Sequence, residues 1–118
     1  MRVITWNMRR AKTGSPSWGY FDDMDPDLAL LQEINEIPEY INEKYDLKYL
    51  KARGKSGNDQ HFGTAVLIKG KIESDLSLSS EIKWIRDEIK FFKGNLVSCI
   101  VKPVGQRPIK VISVYSPA

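Results

Sequence analysis

The sequence predicts a mixed α/β fold rich in strand, with one sheet and flanking helices, and three observations lead there. Arg2-Val-Ile-Thr-Trp6, Phe62-Gly-Thr-Ala-Val-Leu-Ile68 and two late segments, residues 96–102 and 109–115, are β-branched and apolar in the manner of buried strands. Pro16 opens a segment carrying Trp18, Tyr20, Phe21 and Met24, suited to a short helix that docks large apolar groups on a sheet. The 118 residues, 42% apolar and 28% charged, suffice for one small domain with a modest core.

The elements follow in order. The opening strand ends where the polar stretch 7–17 begins. Asp25-Pro26-Asp27 punctuates the chain after the Pro16 helix. Leu28-Ala-Leu-Leu31 is ambiguous. Asp25 can cap a helix with Pro26 in its first turn, but a strand buried on both faces gives the same continuous apolar run. Residues 34–45 read as an irregular or short helical connection interrupted by Pro38, and 47–50 as a brief strand. The Gly/Ser/Asn/Asp-rich stretch 54–60 is a surface loop. The strand at 62–68 continues as an exposed extension to Ile72. In 73–93 the spacing of Ile82, Ile85 and Ile89 suggests helix, while part of the run alternates as a strand does. Pro103 to Pro108 then joins the last two strands most economically as a hairpin.

Cys99 is the lone cysteine, within Leu96-Val-Ser-Cys-Ile-Val101, so it reads as a buried strand thiol with no internal disulfide or cysteine-based zinc cluster to join. No segment approaches the roughly 18 apolar residues of a membrane span, and no secretory h-region opens the chain; a cytoplasmic protein is the expectation. The net charge of +3 is too small to indicate a polyanionic partner, but its distribution is uneven. Arg2, Arg9, Arg10 and Lys12 stand without an acid in residues 1–14, nine acids face only Lys44 in residues 15–46, and Lys48, Lys51, Arg53 and Lys55 follow. A fold that joins the two basic stretches creates an anion-attracting rim.

Asn7 and Glu33 each follow an apolar segment immediately. If both segments are parallel strands joined by the Pro16 helix, the two residues emerge at the same carboxyl edge of the sheet, where ligands of open α/β sheets bind. Glu33 then offers oxygen to Mg²⁺ or Mn²⁺, and Asn7 orients a ligand or adds a neutral oxygen contact. Gly54-Lys-Ser56 is not a Walker-type loop, because Tyr49 occupies the place of the required earlier glycine.

Ile4-Thr-Trp-Asn7 followed by Pro26-Asp-Leu-Ala-Leu-Leu-Gln-Glu33 resembles the opening of the endonuclease/exonuclease/phosphatase superfamily. Phe62-Gly-Thr-Ala-Val-Leu and Val111-Ile-Ser-Val-Tyr-Ser-Pro117 are similar to its next two blocks, in the same order. The resemblance implies a four-layered α/β sandwich in which Leu28 to Gln32 is a strand, and a hydrolase of phosphodiesters or phosphoesters that uses magnesium. It matches Glu33 to the metal-binding glutamate, Asn7 to the active-site asparagine and Tyr115 to a site tyrosine able to donate a hydrogen bond to phosphate. His61, the lone histidine, does not match the family's catalytic histidine and stands as a candidate phosphate or substrate contact. Residues 1–118 correspond to the N-terminal portion of such a domain, ending after a core strand, with the later acidic and histidine blocks and the opposing sheet expected from the other half. The resulting expectation is a metal-dependent phosphoesterase or nuclease, incomplete and inactive as an isolated chain. Its alternatives are a complementing half of a split hydrolase and a non-catalytic nucleic-acid or protein interaction module. Nucleic acid or a small phosphoester is the expected substrate, and self-association or a complementing polypeptide is expected to cover the unfinished sheet.

Overall fold

A computed structural model describes residues 1–117. It is a mixed α/β domain with two sheets and three helices among those residues. Strand β1 (Val3–Ala11) runs into α1 (Pro16–Met24), then β2 (Leu28–Ile34), α2 (Glu39–Lys44), β3 (Asp46–Arg53) and β4 (Asp59–Ile68). These four strands form one sheet in the order β1-β2-β4-β3, with β1 and β2 parallel and the other pairs antiparallel. Next come β5 (Gly70–Asp75), α3 (Lys83–Phe91), β6 (Leu96–Pro103) and β7 (Ile109–Val114), the three strands making a second, antiparallel sheet in that order.

The second sheet corrects the expectation of one sheet awaiting an opposing layer. What read as an extension of β4 to Ile72 is a strand of another sheet. Gly70, at φ +145°, turns the chain out of β4, and an added Cβ there would stand 2.2 Å from the Lys102 carbonyl oxygen. β5 is mostly exposed and polar, so its sequence carries no apolar alternation to announce it.

The ambiguity at Leu28 resolves to strand. Leu28 and Leu30 pack toward β6 and β7, while Ala29 and Leu31 pack under α1 and α2. Asp25 does not cap a helix there. It ends α1 in the left-handed region at φ 47°, its N–H donating to the Phe21 and Asp22 carbonyls. On the helical side, Trp18, Phe21, Ile41 and Tyr45 close over Leu31, Ala65 and Leu67; between the sheets, Val66 and Ile68 meet Val97, Cys99, Val101 and Val111. Each fully buried side chain of this size contributes about 1.5–3 kcal/mol. Cys99 is buried as expected, and burial pushes its thiol pKa up.

Polar links fix the two sheets together. Gln32 Nε2 donates to Ser113 Oγ at 3.1 Å, and Ser113 Oγ to the Leu31 carbonyl at 3.2 Å, both between the sheets. Asn95, in the short 3-10 turn before β6, acts as a surrogate strand for β3: its Oδ1 accepts from Arg53 N–H at 2.6 Å and its Nδ2 donates to the Arg53 carbonyl at 3.0 Å. Beside it Gly94 is required by space, since a Cβ there would lie 1.5 Å from the Lys51 carbonyl oxygen.

Two stability outcomes follow. Asn95→Ala strips both side-chain bonds from the Arg53 backbone and is expected to cost about 2–3 kcal/mol in urea unfolding, while a loss under 0.5 kcal/mol contradicts its surrogate-strand role. Tyr45 donates its buried hydroxyl to the Pro26 carbonyl at 2.7 Å, and burial, then the charges of Asp25, Asp22 and Asp27, push its pKa up to about 12. A raised folded pKa makes its contribution fully present below pH 10 and lost as pH climbs from 10 through 12. Tyr45→Phe should therefore lose about 1 kcal/mol at neutral pH yet show a shallower alkaline fall in unfolding free energy.

Candidate functional site

The two parallel strands β1 and β2 are regular through the Asn7–Gln32 pair and then break register together. The five residues of β1 from Asn7 to Ala11 span the same stretch as three of β2, and the four of β2 from Leu31 to Ile34 face three of β4. The surplus is absorbed by left-handed backbone at Arg9 (φ 51°), Arg10 (φ 62°) and Glu33 (φ 53°). Strict alternation would put Glu33 with Leu31 under the helices. The bulge instead returns Ile34 to that buried face and turns Glu33 to the face carrying Asn7. Left-handed conformation costs a non-glycine residue about 1–2 kcal/mol, and three such residues meet at this edge.

Asn7 Nδ2 donates to Glu33 Oε2 at 2.7 Å, while Asn7 Oδ1 accepts from Arg9 N–H at 3.0 Å. Those two bonds fix the amide orientation: Asn7 positions Glu33, and its oxygen is already engaged by the bulge. The other carboxylate oxygen of Glu33 faces Arg10 Nε at 3.7 Å, with the Glu33 side chain 21% exposed. Arg10 lays its guanidinium over the Phe62 ring, 4.9 Å from the centroid, and Phe62 meets Tyr115 edge-on at 5.4 Å. Tyr115 is held from behind, its N–H donating to the Asn95 carbonyl at 2.8 Å.

The structure thus brings Asn7, Glu33 and Tyr115 to one edge. Burial raises the Tyr115 pKa first, the Glu33 carboxylate raises it further, and the Arg10 guanidinium pulls it down. His61 does not join this group. It is exposed and lines the adjoining cleft with Arg10, Lys12 and Lys51, so the fold brings one lysine of the second basic stretch to two cations of the first. Arg10, Phe62 and Asn95 are the participants that sequence reasoning missed. Arg10 entered only as a charge, and the pairing of Arg-Arg with an otherwise apolar strand was its one visible signal.

Among the described residues, no group of three or more His, Cys, Asp or Glu side chains converges. Glu33 offers a single carboxylate, the kind of donor Mg²⁺ takes when waters and substrate oxygens complete its shell. The donor set therefore suits a hard cation held in part by its substrate. No protein-family model and no curated protein matches the chain.

The electrostatic pairing is testable without turnover. Glu33→Gln removes one of the causes that raise the Tyr115 pKa, so the phenol should titrate at lower pH than in the wild type; Arg10→Ala should move it the other way. Tyrosine ring-carbon NMR across the alkaline range reads both, and equal values in all three proteins would separate Tyr115 from the site.

Proposed function

We propose that this chain is a member of the endonuclease/exonuclease/phosphatase superfamily and carries the metal and phosphate side of a phosphoester- or phosphodiester-hydrolysing site. The single observation that carries the reading is the Asn7–Glu33 hydrogen bond at the carboxyl ends of adjacent parallel strands, made possible by paired backbone bulges. The layering supports it too: α1 and α2 cover one sheet, the second sheet packs on its other face, and α3 borders the outer side near Leu96 and Val114. A divalent ion on Glu33, Mg²⁺ or Mn²⁺, would supply charge to offset that developing on the phosphoryl oxygens. Asn7 holds the carboxylate in position, the Tyr115 hydroxyl stays protonated at neutral pH and donates to a phosphate oxygen, and Arg10 adds positive charge beside it.

None of these groups is a base for the attacking water, and we infer that a further polypeptide supplies it. The specific support is that β1 and β7 are both terminal strands of their sheets on the same side of the molecule, with Val3 50% exposed on the face of β1 that carries Asn7. A strand pairing with β7 would close that side and bring its own residues to Glu33. A binding module without hydrolysis is the reading left if no added polypeptide confers turnover.

The test uses the whole chain with Mg²⁺ or Mn²⁺ on abasic-site DNA, a simple phosphodiester and phosphorylated lipids, with Glu33→Gln and Asn7→Ala alongside. Mn²⁺-induced NMR broadening should centre on Glu33 and Asn7, weaken at least tenfold in Glu33→Gln and several-fold in Asn7→Ala, with turnover of the wild-type chain near background. Broadening unchanged by Glu33→Gln overturns the metal assignment; robust turnover by the chain alone overturns the need for a second polypeptide.

A further inference from the structure

Two clefts flank the row formed by Arg10, Phe62 and Tyr115, and they differ in chemistry. On the Arg10 side lies an open cleft of about 680 Å³ into which β1, β3 and β4 place Arg10, Lys12, Lys51 and His61. Glu36 is the one carboxylate lining it, with an oxygen that accepts from Thr13 Oγ1 at 3.1 Å, and Asn35 adds an amide. Positive charge therefore exceeds negative there, with His61 uncounted. On the Tyr115 side lies a groove of about 650 Å³ between α3 and the outer face of β6 and β7, lined by Trp84, Ile85, Phe92, Val114, Tyr115 and Pro117. Trp84 is 69% exposed although it belongs to an aromatic, apolar helix face, and Lys55 and Glu88, one cation and one anion, also line the groove.

We propose that an unpaired nucleic-acid strand crosses this face, its phosphates held in the Arg10–Lys12–Lys51–His61 cleft and a base seated against Trp84 beyond Tyr115. The pairing of a cationic cleft with an aromatic groove across one row of side chains matches a polymer that carries anionic and planar groups in alternation. A bilayer surface meets a flat patch rather than a recess walled by three strands, and a stacked duplex has no free base for a groove between helix and sheet. Every base has a face that stacks, so the contact to Trp84 sets no sequence preference, whereas the cleft makes the affinity fall with salt. The inference deepens the phosphoester reading by naming its substrate class, but strand binding needs neither metal nor turnover.

The experiment measures anisotropy of labelled oligothymidylate and oligouridylate with the full 118-residue chain in EDTA, from 50 to 200 mM salt. Wild type should bind either strand with a log–log salt slope of about −2, as three phosphate contacts give. Lys12→Ala/Lys51→Ala, both at exposed positions, should weaken binding about tenfold at the low-salt end and make the slope shallower by roughly 1 to 1.5. Trp84→Ala should weaken it about tenfold with the slope unchanged, and strand addition should quench the fluorescence that this substitution removes. Glu33→Gln should bind at least as well as wild type, which separates this inference from the hydrolytic one: metal binding unchanged by Glu33→Gln, with strand binding retained, sinks only the hydrolytic reading. Unchanged affinity in both the lysine and tryptophan variants overturns the track. Competition by inositol hexakisphosphate or anionic vesicles that is as strong as unlabelled strand, and indifferent to Trp84→Ala, assigns the cleft to a compact polyphosphate or a membrane and overturns it as well.

Discussion

The hydrogen bond from Gln32 to Ser113 sets where the two sheets lie on each other. Both residues are buried, at 9% and 1% exposure, and the Gln32 amide also donates to the Leu30 carbonyl at 3.1 Å. Apolar burial between sheets is non-directional, so by itself it discriminates weakly between offsets that bury similar area. A buried amide without its partner costs about 1–3 kcal/mol, so this one link selects the register. It places β7 over β2, and the consequence is local to the site. Glu33 follows Gln32 by one residue and Tyr115 follows Ser113 by two, so fixing one pair delivers the other.

The bulges then decide which way the delivered groups face. β1 and β2 have spare residues at the same end, and the left-handed turns at Arg9, Arg10 and Glu33 are adopted by residues with no intrinsic preference for them. Burial of Ala11 and Ile34 on the helical face supplies the compensation, since each would be turned toward solvent or the opposite sheet if the strands ran on regularly. The strain and the site share one origin: the apolar residues on either side insist on their face, and the polar ones between them are displaced to the other. An arrangement with glycine at 33 would be easier to fold and would have no carboxylate.

Much of this was legible, and the rest was hidden for identifiable reasons. The helix opening at Pro16 and the strands at 62–68, 96–102 and 109–115 carried strong local patterns, and the observed α1, β4, β6 and β7 lie on them. Leu28 to Leu31 was illegible by periodicity because a strand covered on both faces has no alternation left to read. β5 was invisible for the opposite reason, having almost no buried face at all. The adjacency of Asn7 and Glu33 followed from their places at strand ends, but their direct contact required the bulges, which no spacing rule anticipates. Tyr115 was suggested by motif alone, while the residue that holds it, Asn95, is 2% exposed and lies between the segments whose patterns could be read.

The open side of the sandwich bears on how strong the site's electrostatics are. Val3 and Thr5 of β1 are exposed on the face shared with Asn7, and Asn7 itself is exposed. In that setting the Glu33–Arg10 pair at 3.7 Å works against a high dielectric and is worth little. Since β6 and β7 lie over β4 and β2, the next strand of that sheet would lie over β1. It would cover Val3, Thr5 and Asn7 together and lower the dielectric around Glu33, strengthening each charge–charge interaction several-fold without moving a residue. The same addition that removes an aggregation-prone edge would therefore also be what gives the site its chemical strength. On the hydrolytic reading proposed above, such a strand would have to bring the missing base as well as exclude the solvent beside the strained carboxyl edge.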